Sequence, residues 1–210
     1  MSPPKPRATA TTGRPRDDAA RQAILRATAD LLEEVGFGKL SIEGIAAQAG
    51  VAKTTIYRWW HNKGVLALEA FLTAVSPKIA FTETAAPLED LRAQVQRVGK
   101  LYRGKTGRIL CELIALGQAD AETHRQLLDG YLTPRRTVAK ACLQRAIAQG
   151  VLRDDIDLNV MIDAIYGPIW YRMMLRHGPL DVAYIDALLD LALYGLTISP
   201  RRRPCPPGQR

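Results

Sequence analysis

Residues 41–60 read SIEGIAAQAGVAKTTIYRWW: two short runs with helical apolar spacing, set on either side of a glycine. Two helices this short cannot bury much surface alone, so the pair must pack on further helices. Ser41 is placed to cap the first, and Ile42, Ile45, Ala46 and Ala49 form its inner face. Gly50 supplies the positive φ that the tight turn requires. Val51 anchors the turn, and Lys53 opens the second helix, which runs to about Trp60. Ile45, Val51 and Ile56 form a small core between the two, with Ala46 small where the second helix crosses. The pattern is that of a helix-turn-helix, whose second helix fills a major groove. Lys53, Thr54 and Thr55 then lie at the exposed N-terminal end of that helix, within reach of base edges.

The rest of the chain is helical in pattern as well. A first helix is predicted from about Asp17 to Val35, with Ile24, Leu25, Thr28, Leu31, Leu32 and Val35 on one face and Gly36 as its stop. Asn62 caps a fourth helix, Lys63 to Val75, and Pro77 closes the unit. Longer helices are expected near 88–103, 106–118, 121–149 (broken near Thr133-Pro134), 157–176 and 181–196. Gly167-Pro168 should kink the penultimate one. Alternating β-branched runs are missing, so the expected fold is all-α. The predicted organisation is a disordered basic arm over 1–15, a three-helix helix-turn-helix DNA-binding domain over 16–76, a larger C-terminal helical domain over 77–198, and a disordered tail over 199–210.

Composition narrows the function without naming it. The formal net charge of +8 on 210 residues favours a polyanionic partner such as nucleic acid. The N-terminus has no apolar signal core, and no run approaches the ~18 apolar residues of a membrane helix, so a cytoplasmic protein without a membrane partner is expected. Cys111, Cys142 and Cys205 show no metal-ligand spacing and read as small hydrophobes; neither a metal nor a cofactor is expected. There is no Ser-His-Asp set, GxSxG, HExxH, Walker A or dinucleotide fingerprint, so the chain is not read as an enzyme.

From about Arg21 to Leu72 the sequence resembles the TetR family of bacterial repressors. Gly36-Phe37, Ser41-Ile42, Ile45-Ala46, Ala49-Gly50-Val51, Thr55-Ile56-Tyr57-Arg58-Trp59-Trp60 and Asn62-Lys63 follow at family spacing. The resemblance implies that Lys53, Thr54 and Thr55 face bases of a double-stranded operator. It also implies that Tyr57 and Trp59 lie against the sugar-phosphate backbone, and that Lys63 and Ser41 meet phosphates at helix N-termini. The family usually has His at position 59 and a small residue or Pro at 61; here these are Trp59 and His61, and His61 becomes an added candidate phosphate contact. Residues after 77 resemble the family's ligand-binding and dimerisation domain, notably Gly167-Pro168-Ile169-Trp170-Tyr171-Arg172.

That resemblance implies a ligand-responsive homodimer. Candidate contacts for an apolar or aromatic effector are Tyr102, Leu110, Cys111, Ile114, Leu128, Tyr131, Tyr166, Trp170, Met173 and Met174. Glu112, His124, Asp163 and Arg172 are candidates to orient a polar group on it. Candidate dimer residues are Met161, Ile165, Ile169, Ile185, Leu188, Leu189, Ala192 and Leu196 on the last two helices. An ordinary intramolecular core is the alternative reading for both sets. The competing function is a helical adaptor that binds no DNA, or binds nucleic acid without sequence preference.

Overall fold

The computed structural model describes residues 14–197. No β-strand occurs among them, only an isolated antiparallel bridge between Leu152 and Thr197. The helices are α1 (Arg14–Lys39), α2 (Ile42–Ala49), α3 (Lys53–Trp59), α4 (Lys63–Val75), α5 (Pro87–Tyr102), α6 (Lys105–Ala119), α7 (Ala121–Leu127), α8 (Thr133–Ala148), α9 (Leu158–Leu175) and α10 (Val182–Leu196). The all-α expectation is met. The first helix starts at Arg14, so the last two residues expected in the arm belong to it; the rest of the arm and the tail lie outside the described residues. The chain divides into two compact units between Ala74 and Val75.

In the first unit α1 packs on α2 and α3, and α2 packs on α3. Its core holds Ile24, Leu25, Leu32, Ile45, Ile56, Trp60, Leu66 and Phe71, all buried. Gly36 (φ 75°) interrupts α1, as its position predicts. Buried Thr28 satisfies its hydroxyl by donating to Ile24 O at 2.7 Å within α1.

In the second unit α5 packs on α8 and α10, α6 on α7, and α9 on α8 and α10. Leu91, Val95, Leu110, Leu113, Leu143, Met161, Ile165, Ile185 and Leu189 fill its centre. Gly99 lets α10 approach α5: a Cβ there would stand 2.8 Å from Ile185 Cδ1. The buried carboxylate of Asp90 ties the loop before α5 to α8. It accepts from Thr84 N–H (2.9 Å), Thr84 Oγ1 (2.7 Å) and Arg145 Nη2 (3.0 Å). The Thr84 bonds, then Arg145, hold its pKa below the ordinary carboxylate value. Its contribution to stability is therefore present above that ordinary value and lost as pH falls through the depressed one.

The break expected near Thr133-Pro134 is a π turn over Leu128–Leu132. Pro134 has no N–H for the carbonyl of Gly130, and the widened turn absorbs the mismatch. The kink expected at Gly167-Pro168 is not a break, since α9 runs through both residues to Leu175. The carbonyl that Pro168 cannot serve belongs to Ala164, an exposed residue.

Candidate nucleic-acid interface and effector cavity

The turn between α2 and α3 is built as its residues dictate. Ser41 Oγ accepts the N–H of Gly44 at 3.1 Å and caps α2. Gly50 is left-handed (φ 65°), and Val51 N–H closes the turn on Ala46 O at 3.0 Å. Ile45 and Ile56 are completely buried between the helices. That burial fixes the outer face of α3, where Lys53, Thr54, Tyr57 and Arg58 are exposed and Thr55 is half-buried.

The eight DNA-contact candidates differ in what already holds them. Lys53 Nζ donates to Glu43 Oε1 at 3.0 Å, which raises the lysine pKa and lowers that of the carboxylate. Thr54 and His61 are exposed, and Tyr57 is 54% exposed. Trp59 is 38% exposed; the Arg21 guanidinium lies 5.8 Å from its ring centroid, and Trp60 stands beside it. Lys63 is half-buried and turns inward. Its ammonium donates to Leu40 O at 2.8 Å and Phe37 O at 3.4 Å, over the Phe37 ring. The α4 N-terminus is capped by Asn62 Oδ1, which accepts from Val65 N–H at 2.8 Å.

A small network that spacing did not reveal orients the end of α3. Glu69 accepts from Arg21 and, at 2.7 Å, from Trp60 Nε1. Trp60 is otherwise buried. Removing the carboxylate would leave an indole N–H without a partner. Glu69→Ala is expected to cost about 1–3 kcal/mol in chemical denaturation; an unchanged midpoint would mean that water replaces the bond at no cost.

In the second unit a cavity of about 430 Å³ opens among α5 to α9. Seven of the ten ligand candidates line it: Tyr102, Ile114, Leu128, Tyr131, Tyr166, Trp170 and Met174. His124 and Asp163 line it too, whereas Glu112 and Arg172 do not. The Trp170 ring stands 6.2 Å from that of Tyr102 and 6.0 Å from that of Tyr131. Burial pushes the hydroxyls of Tyr131 and Tyr166 well above the ordinary phenol range. Tyr166 Oη donates to Gln94 Oε1 at 2.5 Å. Three candidates are corrected. Leu110 is wholly buried in the core, Cys111 sits on α6 with Sγ 3.8 Å from Met173 O, and Met173 lines a separate hollow with Arg172. They lie on helix faces turned away from this cavity. Arg135 and Ala139, which line it, follow Tyr131 at i+4 and i+8 and could have been found by that spacing.

The dimer candidates are corrected more broadly. Met161, Ile165, Ile169, Ile185, Leu189 and Leu196 are buried within the single chain, and Leu188 and Ala192 are half-buried. Both helices are apolar on more than one side, and the side chosen from spacing meets the chain's own core. The outward side carries Val160, Tyr171, Met174 and Leu175 on α9, with Leu191 (74% exposed) and Tyr194 (78% exposed) on α10.

The comparisons agree with this architecture. The description "Bacterial regulatory proteins, tetR family" matches residues 24–70, and "Tetracyclin repressor-like, C-terminal domain" matches residues 81–192. The chain is 34% identical to YdeS, an uncharacterised HTH-type transcriptional regulator of Bacillus subtilis (strain 168), over 88% of this chain and 93% of that one. The chain belongs to the TetR family.

It is also 29% identical to the DNA-binding transcriptional repressor TetR of Mycobacteroides abscessus, across 83% of this chain and 92% of that one. The crystal structure of the TetR family regulator SCO0332 superposes with a TM-score of 0.75 at 35% identity, covering 84% of this chain and 98% of that one. This TetR-family chain is thus a DNA-binding transcriptional regulator with a helix-turn-helix head, and such regulators, generally repressors, act on operators as dimers. Among the described residues no helix is long and apolar enough to cross a membrane.

Proposed function

We propose that this TetR-family regulator is a homodimeric repressor that reads a palindromic operator through α3 and leaves it when a small apolar or aromatic effector enters the α5–α9 cavity. The observation that carries the reading is the outer face of α3: a Lys-Thr pair at its exposed N-terminal end, then Tyr57, held by a core that leaves them no role in packing. In a dimer, two such faces spaced about 34–36 Å apart meet successive major grooves. The outward side of α9 and α10 is the proposed dimer face, because exposed Tyr and Leu clustered there suit an interface core. The effector acts by binding better to a second state in which that spacing is lost, with coupling of roughly 1–3 kcal/mol.

Lys63 is more than a phosphate contact. With two of its three N–H groups on Phe37 and Leu40 carbonyls, it holds the α1–α2 link and has one donor left for phosphate. The test of the reading separates two kinds of contact on a selected operator duplex. Thr54→Ala should relax base preference by about 1–3 kcal/mol at one position, while Tyr57→Phe should weaken all sequences alike. Equal, sequence-blind losses from both would contradict the assignment.

Glu43 adds a quantitative expectation. Its carboxylate holds Lys53 in free protein and would stand close to the DNA backbone. Glu43→Gln should tighten operator binding roughly two- to fivefold at low salt, with the gain fading as salt rises. Fluorescence anisotropy across a salt series measures this; no change at any salt would mean that Lys53 does not take part.

A further inference from the structure

The cavity proposed to take the effector contains a positive charge that the chain itself does not balance. Two guanidiniums line it, Arg135 and Arg136, against one carboxylate, Asp163. That carboxylate is engaged: Arg136 Nη1 donates to Asp163 at 2.5 Å and Nη2 to Asn159 Oδ1 at 3.2 Å. Arg135 has no ion-pair partner among the described residues. Its Nη1–H donates to Tyr131 O at 3.0 Å and its Nη2–H to Ser76 Oγ at 3.2 Å, and its guanidinium lies 4.0 Å from the Tyr131 ring centroid. Its Nε–H is buried and bonds to nothing.

A half-buried guanidinium without a counter-charge carries a desolvation cost. A guanidinium keeps its charge even when burial lowers its pKa, so desolvation must be offset by an acceptor or a counter-charge. Two neutral oxygens and a ring face do part of that and also fix the group in place. A fixed, partly desolvated cation is what charge-assisted recognition of an oxyanion needs. A second donor among the lining residues, Tyr102 Oη, is likewise buried without a partner. The lining also holds apolar and aromatic side chains, among them Val98, Leu127, Tyr131 and Trp170.

We infer that the effector is an organic anion, with an apolar or aromatic body against Trp170 and Tyr131 and a carboxylate or other oxyanion on Arg135. This rests on reading the cavity as the effector site. A neutral body of the same shape would fill the cavity and leave Arg135 as it is. A cationic one would be repelled.

The test uses two dyes that share one ring system and differ by a charged group: anilinonaphthalene sulfonate and the neutral N-phenylnaphthylamine. Both brighten when they leave water for an apolar site. Each is titrated into full-length protein, into Arg135→Gln and into Arg135→Lys, with thermal melts to verify that the variants are folded. The sulfonate should bind roughly tenfold tighter than the neutral dye. Arg135→Gln should remove about that factor for the sulfonate and shift the neutral dye by less than about twofold. Arg135→Lys should keep most of the preference, because the charge remains. An Arg135→Gln protein that binds both dyes as the parent does, or loses both equally, overturns the inference while leaving the cavity reading intact. Failure of both dyes to brighten overturns the cavity reading, and the inference with it.

Discussion

A chain carrying Leu191→Asp together with Tyr194→Asp is expected to run as a monomer and to lose operator affinity by roughly two to four orders of magnitude. Both side chains are largely exposed in the single chain, on the outward side of α10, so the substitutions cost its own fold little. In the dimer they would place four carboxylates in an apolar interface, where burying unpaired charge is prohibitive. The second reading head of a dimer binds its half-site as an intramolecular event, and a monomer forfeits that advantage. Sedimentation at micromolar concentration and operator titration measure the two effects together. A variant that stays dimeric would move the interface to another surface.

Ile165→Asp should behave in the opposite manner: the chain should fail to fold, with a loss of about 4 kcal/mol or more. Ile165 is completely buried among residues of its own chain, one turn from Met161 and Ile169, which are also buried. A carboxylate there has no water and no cation. Circular dichroism and melting would report the collapse before any question of association arises. A folded, monomeric Ile165→Asp protein would restore the interface expected from apolar spacing and contradict the side chosen here.

The pair of variants also marks where the sequence was legible. The helix-turn-helix could be read nearly residue by residue, because its determinants are local: a cap at Ser41, a left-handed Gly50, and Ile45 facing Ile56 across one short turn. The later helices were legible as helices for the same reason. Their faces were not. α9 and α10 are apolar on both sides, and periodicity cannot say which side meets the chain's own core and which meets a second copy. Lys63 shows a related limit: a lysine at a helix start suits a phosphate, and only the fold brings the carbonyls of Phe37 and Leu40 beneath it. Arg135 has the spacing of a lining residue, but its charge alone suits a solvated side chain. Its position over Tyr131 depends on the π turn that precedes α8.

Selection of bound duplexes from a random DNA pool by the full-length protein, at physiological salt, tests operator reading by a dimer. A sequence-reading dimer selects a palindromic consensus, two half-sites set about one helical turn apart, with enrichment lost in the Leu191→Asp/Tyr194→Asp chain. Binding without any enriched sequence, falling away as salt is added, would leave only phosphate attraction and contradict a sequence-reading dimer.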